Sequence, residues 1–217
     1  IRQSLVGSEM CIRDSSSPYK LVFVSSGGGT NAISSLLEVP GASNTVLESY
    51  IPYSKESMNE FLNIKPDHYC SLETCLSMAA NAFKKSRIIS SKTKSKYLLG
   101  ISITANLATT YEKKGDHKFF IVVQTDSYTK YLECFIDKGK RTREEEEELI
   151  TGCVIHLLAE SCHLKYDLPK IQEEIKINQV DAEKSWKKLF NNKVGFISNN
   201  RNKPELIFPG SFNPLHE

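Results

Sequence analysis

VFVSSGGGTNAISSLLEVPGAS, residues Val22–Ser43, is the stretch of sequence that indicates the fold. An apolar, β-branched run meets two serines and three glycines, and an apolar pattern with helical spacing begins near Thr30. A strand, a glycine-rich turn and a helix in this order direct free backbone N–H groups toward one point. Two interpretations follow. The turn is either a tight strand-to-helix connection or a cradle for the phosphates of a nucleotide, formed by Gly27, Gly28, Gly29 and Thr30.

The composition limits the classes of function. A chain of 217 residues holds one sizeable α/β domain or two small ones. The net charge of +2, with no basic stripe among the aromatic residues, gives no reason to expect a nucleic-acid partner. No apolar run reaches the length of a membrane span, so we expect no membrane partner. The six cysteines have no CxxC pair and no zinc-type spacing, which predicts free thiols, no metal site and a cytoplasmic protein.

The pattern from Tyr19 onward predicts a single α/β domain over residues 19–166. Apolar runs and alternating segments predict strands, and apolar residues at helical spacing predict helices. The predicted strands are Tyr19–Ser25, Asn44–Pro52, Tyr97–Thr104, Lys118–Gln124 and Tyr128–Asp137. The predicted helices are Thr30–Glu38, Ser54–Leu62, one that begins at Ser71, and one that begins after Thr142.

Two charged segments follow the predicted sheet. Thr142 and Glu145 have the spacing of a capping box, so the glutamate run Glu144–Glu148 is expected to form a solvated first helical turn without a metal or partner role. Residues 167–203 are polar and lysine-rich, which predicts a linker. Within the linker, Ala182–Phe190 is expected to form one amphipathic helix.

Four positions in the first 104 residues resemble the CinA C-terminal-domain family, the nicotinamide-nucleotide amidases. The family's motifs are AESCTGG, VPGSS, TYSNEAK and TGxAGP. Ser26 matches the serine of the first motif, Ser43 the last serine of the second, Tyr53 the tyrosine of the third and Thr104 the threonine of the fourth. The resemblance implies a sheet with helices on both faces. It also implies hydrolysis of the carboxamide of nicotinamide mononucleotide, with release of ammonia.

This sequence departs from the family at the general base. The family's lysine falls at Met58, which cannot exchange a proton, and Lys55 lies one helical turn earlier as a substitute. The turn after Thr104 reads Ala-Asn-Leu-Ala in place of the family's glycines and proline. Either Arg141 or Arg143 matches a family arginine near the last helix. Because loss of a general base costs about 10²–10⁴-fold in rate, we expect a degenerate amidase-like site.

The last twelve residues, LIFPGSFNPLHE, resemble the opening of the nucleotidylyltransferase superfamily, a strand followed by GSFDPxHxGH. Residues 204–217 are therefore expected to be the first strand and loop of a truncated Rossmann-like domain. In the complete domain, the resemblance implies binding of a nucleoside triphosphate with magnesium. The residues that would contact this nucleotide are Gly210, Ser211, Phe212, Asn213 and His216.

Residues 1–15, IRQSLVGSEMCIRDS, resemble a translated sequencing-library adaptor and are expected to be non-native. The remainder is interpreted as a fragment of a nucleotide-metabolism protein. In this interpretation, an adenylyl- or cytidylyltransferase for nicotinamide-type nucleotides carries a degenerate CinA-like domain at its N-terminus. Two alternatives stay open: an active nicotinamide mononucleotide amidase, and a non-catalytic domain that mediates homo-oligomerisation. The fragment itself is expected to bind a small-molecule nucleotide and to need no cofactor.

Overall fold

The computed structural model describes residues 17–110, 114–190 and 193–197. The chain divides into two units, Ile1–Ala182 and Glu183–Glu217. The expected adaptor segment and the expected transferase segment both lie outside the described residues, so those interpretations stay predictions.

The first unit alternates strands and helices up to its third strand and ends in an antiparallel region. Its elements are β1 (Lys20–Ser26), α1 (Thr30–Leu37), β2 (Val46–Tyr50), α2 (Lys55–Leu62), α3 (Leu72–Ile89), β3 (Leu98–Asn106), β4 (His117–Gln124), β5 (Tyr128–Ile136), α4 (Arg143–Ser161) and β6 (Ile175–Asp181). The second unit contains α5 (Lys184–Phe190). The strands and helices predicted before residue 166 are confirmed, with ends that differ by a few residues.

The six strands of the described residues belong to one mixed sheet in the order β2-β1-β3-β4-β5-β6. Strand β1 pairs in parallel with both β2 and β3, and the remaining pairs are antiparallel. The chain moves from β1 to β2 in one direction and from β2 back to β3 in the other. Because parallel crossovers are right-handed, the connecting helices must lie on opposite faces. The prediction of helices on both faces is confirmed.

The alternating side chains of β1 show how each face is covered. Leu21 and Phe23 pack in the larger core with α1 and α4, whereas Val22 and Val24 pack with α2 and α3. Every one of these four side chains is fully buried. Strand β3 is buried along almost its whole length, as expected for a central strand with helices on both sides.

The interpretation of residues 167–203 as a linker is wrong for its middle part. Ile175–Asp181 forms β6 and pairs along its whole length with β5. The segment IKINQVD has only two charged residues and places apolar side chains at Ile175, Ile177 and Val180. This pattern is that of an exposed edge strand, and the lysines around it concealed the signal. The predicted amphipathic helix is confirmed as α5, two residues shorter at its start.

The cysteines of the described residues are not joined in disulfides, as predicted: Cys70, Cys75, Cys134, Cys153 and Cys162. Burial raises the pKa of Cys75 and of Cys162 to about 12. Cys75 also donates to the carbonyl of Phe120 in the adjacent strand, at 3.3 Å. Cys75 and Cys162 are therefore packing groups with little thiolate at neutral pH. Within the described ranges, no helix has the length and apolarity needed to cross a bilayer.

Candidate functional site

The order of the strands places a topological switch point at the carboxyl ends of β1 and β3, where a binding crevice is expected. The chain leaves β1 toward β2 on one side and returns to β3 on the other, so these two strands form a topological switch point. Open α/β sheets bind ligands in the crevice outside the carboxyl ends of strands at such a point. Ser26 of β1 and Thr104 of β3 lie directly opposite each other in the parallel pairing of these two strands. The structure therefore brings two of the predicted catalytic residues side by side.

The hydroxyl groups of both residues already have partners. Ser26 Oγ donates to the carbonyl of Pro52 at 3.0 Å, and Thr104 Oγ1 donates to the carbonyl of Ser71 at 3.5 Å. Ser71 is the N-cap of α3 and accepts a hydrogen bond from the backbone of Thr74 at 3.2 Å. The α3 N-terminus and the chain after β2 thus close the crevice on this face. The partner that the Ser26 hydroxyl has is a carbonyl oxygen, which is not a base.

Tyr53 and Lys55 follow β2 and lie at the same edge of the sheet, but both side chains point into solvent. Tyr53 is 69% exposed. The Lys55 ammonium lies over the ring of Tyr69, 5.7 Å from its centroid. Met58, which occupies the family's lysine position, is only 1% exposed and packs beside Val24. In this chain the position of the base is part of the hydrophobic core.

Ser43 does not belong to this crevice. It lies in a short 3-10 turn just before β2, and the backbone N–H of Leu21 bonds to the carbonyl of Thr45 at 2.8 Å. Ser43 is therefore at the amino edge of the sheet, whereas Ser26 is at the carboxyl edge. Five strand residues separate these edges, a distance of about 17 Å. The structure does not bring Ser43 together with Ser26, because the helix after the glycine turn returns the chain to the start of the sheet, and a catalytic role for Ser43 stays a prediction.

The three glycines of the turn are required by close packing. Gly27 and Gly29 have φ angles of 80° and 85°, in the left-handed region. A Cβ atom on Gly27 would overlap the carbonyl oxygen of Ala105, and one on Gly28 would lie 2.6 Å from Leu107 Cδ1. The first of the two interpretations, a tight strand-to-helix connection, therefore accounts for the glycines without a ligand.

A carboxylate from α4 accepts a hydrogen bond from the backbone N–H of Gly29, at the start of α1. The backbone N–H of Gly29 donates to Glu147 Oε2 at 2.6 Å. Arg143 holds this carboxylate in place, with Nη2 at 3.1 Å from Glu147 Oε1 and at 2.8 Å from the carbonyl oxygen of Gly27. An anion is thus already present where a phosphate or an oxyanion would bind. The nucleotide-binding role of Gly27, Gly28, Gly29 and Thr30 stays a prediction, and a ligand there would have to displace Glu147.

The neighbouring Glu146 anchors the strand-to-loop junction after β3. It is fully buried, accepts from the backbone N–H of Ala108 at 2.6 Å, and has Oε1 3.0 Å from His117 Nδ1. The expectation of a solvated first turn is therefore confirmed for Glu144, Glu145 and Glu148 and wrong for Glu146 and Glu147. Sequence reasoning missed these two residues because a run of like charges usually faces solvent. The predicted capping box is present.

The two arginine candidates have separate roles. Arg143 reaches the glycine turn, so it is the arginine that lies beside the candidate site. Arg141 instead forms a two-pronged ion pair with Glu173, with Nη2 to Oε2 at 2.8 Å. The guanidinium lowers the pKa of Glu173 to about 2. This pair ties the turn before α4 to the segment before β6.

A groove with a volume of about 690 Å³ lies apart from the predicted catalytic residues. It runs between α1, α4 and residues 166–171, and it combines apolar side chains such as Ile155 and Pro169 with carboxylates such as Glu38 and Glu148. None of the predicted catalytic residues lines it. In the described part of the chain, no three His, Cys, Asp or Glu side chains are grouped to hold a metal ion.

Taken together, the switch-point crevice, the glycine turn and the helices on both faces define a mixed-sheet α/β domain. Solved structures with this fold include competence-damage-inducible proteins. The protein from Enterobacter asburiae has a TM-score of 0.55 and 13% identity, over 70% of this chain and 94% of that one. CihA from Agrobacterium tumefaciens has a TM-score of 0.54 and 15% identity, over 72% and 94%. A CinA-superfamily protein from Enterobacter cloacae has a TM-score of 0.52 and 14% identity, over 71% and 87%.

No model of a known protein family and no curated protein matches the sequence significantly. At 13–15% identity, the structural likeness establishes the fold. The chain therefore contains a domain with a CinA-like fold.

Proposed function

We propose that this domain has kept the CinA-like fold and lost amide hydrolysis, and that it is an attached module of a nucleotidyltransferase. The observation that carries the first part is the carboxylate of Glu147 at the backbone N–H of Gly29, 2.6 Å away. The buried Met58 at the family's lysine position supports the same conclusion. The transferase part is supported only by the sequence resemblance of LIFPGSFNPLHE.

Hydrolysis of a carboxamide by a serine needs a base and donors for the developing oxyanion. The Ser26 hydroxyl donates to the Pro52 carbonyl, which is not a base that can accept its proton in catalysis. Glu147 already accepts from Gly29, and its negative charge opposes an oxyanion nearby. Loss of one oxyanion donor costs about 10²–10³-fold and loss of the base about 10²–10⁴-fold. If the two losses are independent, the rate falls by about 10⁴–10⁷.

Ammonia release tests the loss of hydrolysis. The purified 217-residue chain is incubated with nicotinamide mononucleotide, beside a bacterial nicotinamide-nucleotide amidase as positive control. We expect no ammonia above the no-enzyme control, and we expect Ser26→Ala to leave the signal unchanged. Ammonia that appears with wild-type chain and disappears with Ser26→Ala would overturn the proposal.

The second candidate is a working amidase in which Lys55 replaces the missing base. The pairing of Ser26 with Thr104 at the sheet edge, and the solvent-exposed position of Lys55 at that edge, favour it. This candidate requires the Lys55 side chain to leave the ring of Tyr69 and to reach the Ser26 hydroxyl. It predicts that Lys55→Met abolishes ammonia release and that Lys65→Met, a change in an exposed lysine outside the helix, does not.

The transferase assignment has its own test. Sequencing of the transcript beyond Glu217 is expected to give Gly-His as the next two residues, which would complete the superfamily motif. The longer protein should then transfer an adenylyl or cytidylyl group from a nucleoside triphosphate with magnesium. His216→Ala should abolish that transfer, because the matching histidine contacts phosphate oxygens as charge develops. A different pair after Glu217 would contradict the assignment.

A further inference from the structure

Among the described residues, strand β6 is an open edge of the sheet. It pairs with β5 on one side only, and six of its seven residues are exposed. Ile177 and Val180 present apolar side chains to solvent, with Val180 61% exposed. The opposite edge, β2, is shorter, and all five of its residues are half-buried. An exposed edge strand of this length is a template for pairing with another strand.

The sequence of β6 is compatible with pairing to itself. When two copies run antiparallel about a dyad at Asn178, this residue faces its own copy, Ile177 faces Gln179 and Val180 faces Lys176. The pairs on the dyad and beside it carry no like charges. Lys176 near one end and Asp181 at the other give the two ends opposite charge, so the antiparallel arrangement brings unlike ends together.

The helices leave room for this approach. On one face α3 packs mainly on β1, β3 and β4, and on the other α4 packs mainly on α1 and β4. Neither of these two helices has its main contacts with β6, so neither covers this edge of the sheet. We propose that β6 is a self-association edge and that two copies of this chain join through it. Their sheets then form one continuous twelve-stranded sheet.

This inference is independent of the proposed loss of hydrolysis, because β6 lies at the edge of the sheet farthest from β2. The contact is small compared with stable protein interfaces, so we expect a dissociation constant on the order of 10–100 µM. The partner is a second copy of the chain because the edge is self-complementary. A later segment of a longer polypeptide on the same edge would instead keep the protein monomeric.

A symmetric disulfide tests the dyad directly. Residues that face each other across paired strands have Cα atoms about 4.5–5.5 Å apart, which a disulfide can span. In Asn178→Cys the two new thiols face each other, whereas in Lys176→Cys the two thiols are four strand positions apart, about 13 Å. We expect mild oxidation to link Asn178→Cys into dimers and to leave Lys176→Cys unlinked. Mass spectrometry of peptides identifies the linked residues and separates them from the native cysteines.

Sedimentation of the wild-type chain and of Asn178→Asp completes the test. The aspartate is nearly isosteric and exposed, so it leaves the monomer folded, but it places two carboxylates opposite each other. We expect wild type to dimerise below about 200 µM and Asn178→Asp to weaken dimerisation at least tenfold. A wild-type chain that stays monomeric at that concentration would overturn the proposal. So would a dimer that Asn178→Asp does not weaken, or one in which Lys176→Cys links as fast as Asn178→Cys.

Discussion

Replacement of Gly27 by alanine tests whether the glycine turn is a packed corner. Its φ of 80° costs an alanine about 1–2 kcal/mol, of which about 0.4–1 kcal/mol is recovered because alanine also restricts the unfolded chain. The new Cβ would also overlap the carbonyl oxygen of Ala105, which is backbone and cannot rotate away. Overpacking of this kind adds about 1–3 kcal/mol. We expect Gly27→Ala to lower the free energy of unfolding by about 3 kcal/mol.

Gly139 provides the matched control. It has a φ of 74°, and a Cβ placed on it has no atom within 4 Å. Gly139→Ala therefore carries the backbone cost without the steric overlap and should lose only about 0.5–1.5 kcal/mol. The assay is urea unfolding followed by far-ultraviolet circular dichroism. Fluorescence is unsuitable because the single tryptophan, Trp186, lies in the second unit. If the two variants lose the same free energy within about 0.5 kcal/mol, the close approach of the turn to β3 is refuted.

Three further predictions concern the carboxylates and the core beside the site. Glu147→Ala leaves the buried N–H of Gly29 without its acceptor and should lower the free energy of unfolding by about 2–4 kcal/mol. Glu147→Gln keeps an acceptor and should lower it by less. Equal losses of the two variants in urea unfolding would contradict the hydrogen bond. Met58→Lys restores the family's residue at a buried position and should lower the free energy of unfolding by about 3 kcal/mol or more, without producing ammonia. The control Met58→Leu should lower it by less than about 1.5 kcal/mol. A stable Met58→Lys variant that releases ammonia would contradict the placement of Met58 in the core. Arg141→Ala should cost about 1–3 kcal/mol at neutral pH. The pKa of Glu173 is about 2 in the folded chain, below its unfolded value. The stabilisation by the Arg141–Glu173 pair is therefore present above about pH 4.5 and is lost as the pH falls toward 2. If Arg141→Ala lowers the free energy of unfolding equally at pH 7 and pH 2.5, the pairing is contradicted.

Much of the fold could be predicted from the sequence because local sequence patterns indicate the same strands and helices that the sheet contains. The buried run ending at Ser26, the proline and glycine after α1, and the hairpin at Asp126 and Ser127 each predict an element that is present. Strand β6 was missed because it lies in a lysine-rich segment and its apolar residues, Ile175, Ile177 and Val180, do not alternate regularly. Its pairing with β5 depends on the position of a distant partner strand.

The candidate site was accessible only in part. Ser26 and Thr104 end neighbouring parallel strands, so their proximity follows from strand order. Glu147 contacts Gly29 across 118 positions of sequence, and nothing in a run of five glutamates marks which members face inward. Ser43 was misplaced because a motif match gives spacing along the chain and no information about which edge of the sheet a residue occupies.

The carboxylate of Glu147 fills the glycine turn, with Oε2 at 2.6 Å from the backbone N–H of Gly29. Backbone amide resonances of Gly27, Gly28 and Gly29 report on it directly in a nitrogen-15 spectrum of the full chain. As nicotinamide mononucleotide is added up to about 5 mM, we expect these three resonances to stay in place, and we expect the Gly29 resonance to move in Glu147→Gln because its acceptor has changed. A saturable shift of all three resonances in the wild-type chain would show that a ligand enters the turn and that Glu147 does not exclude it.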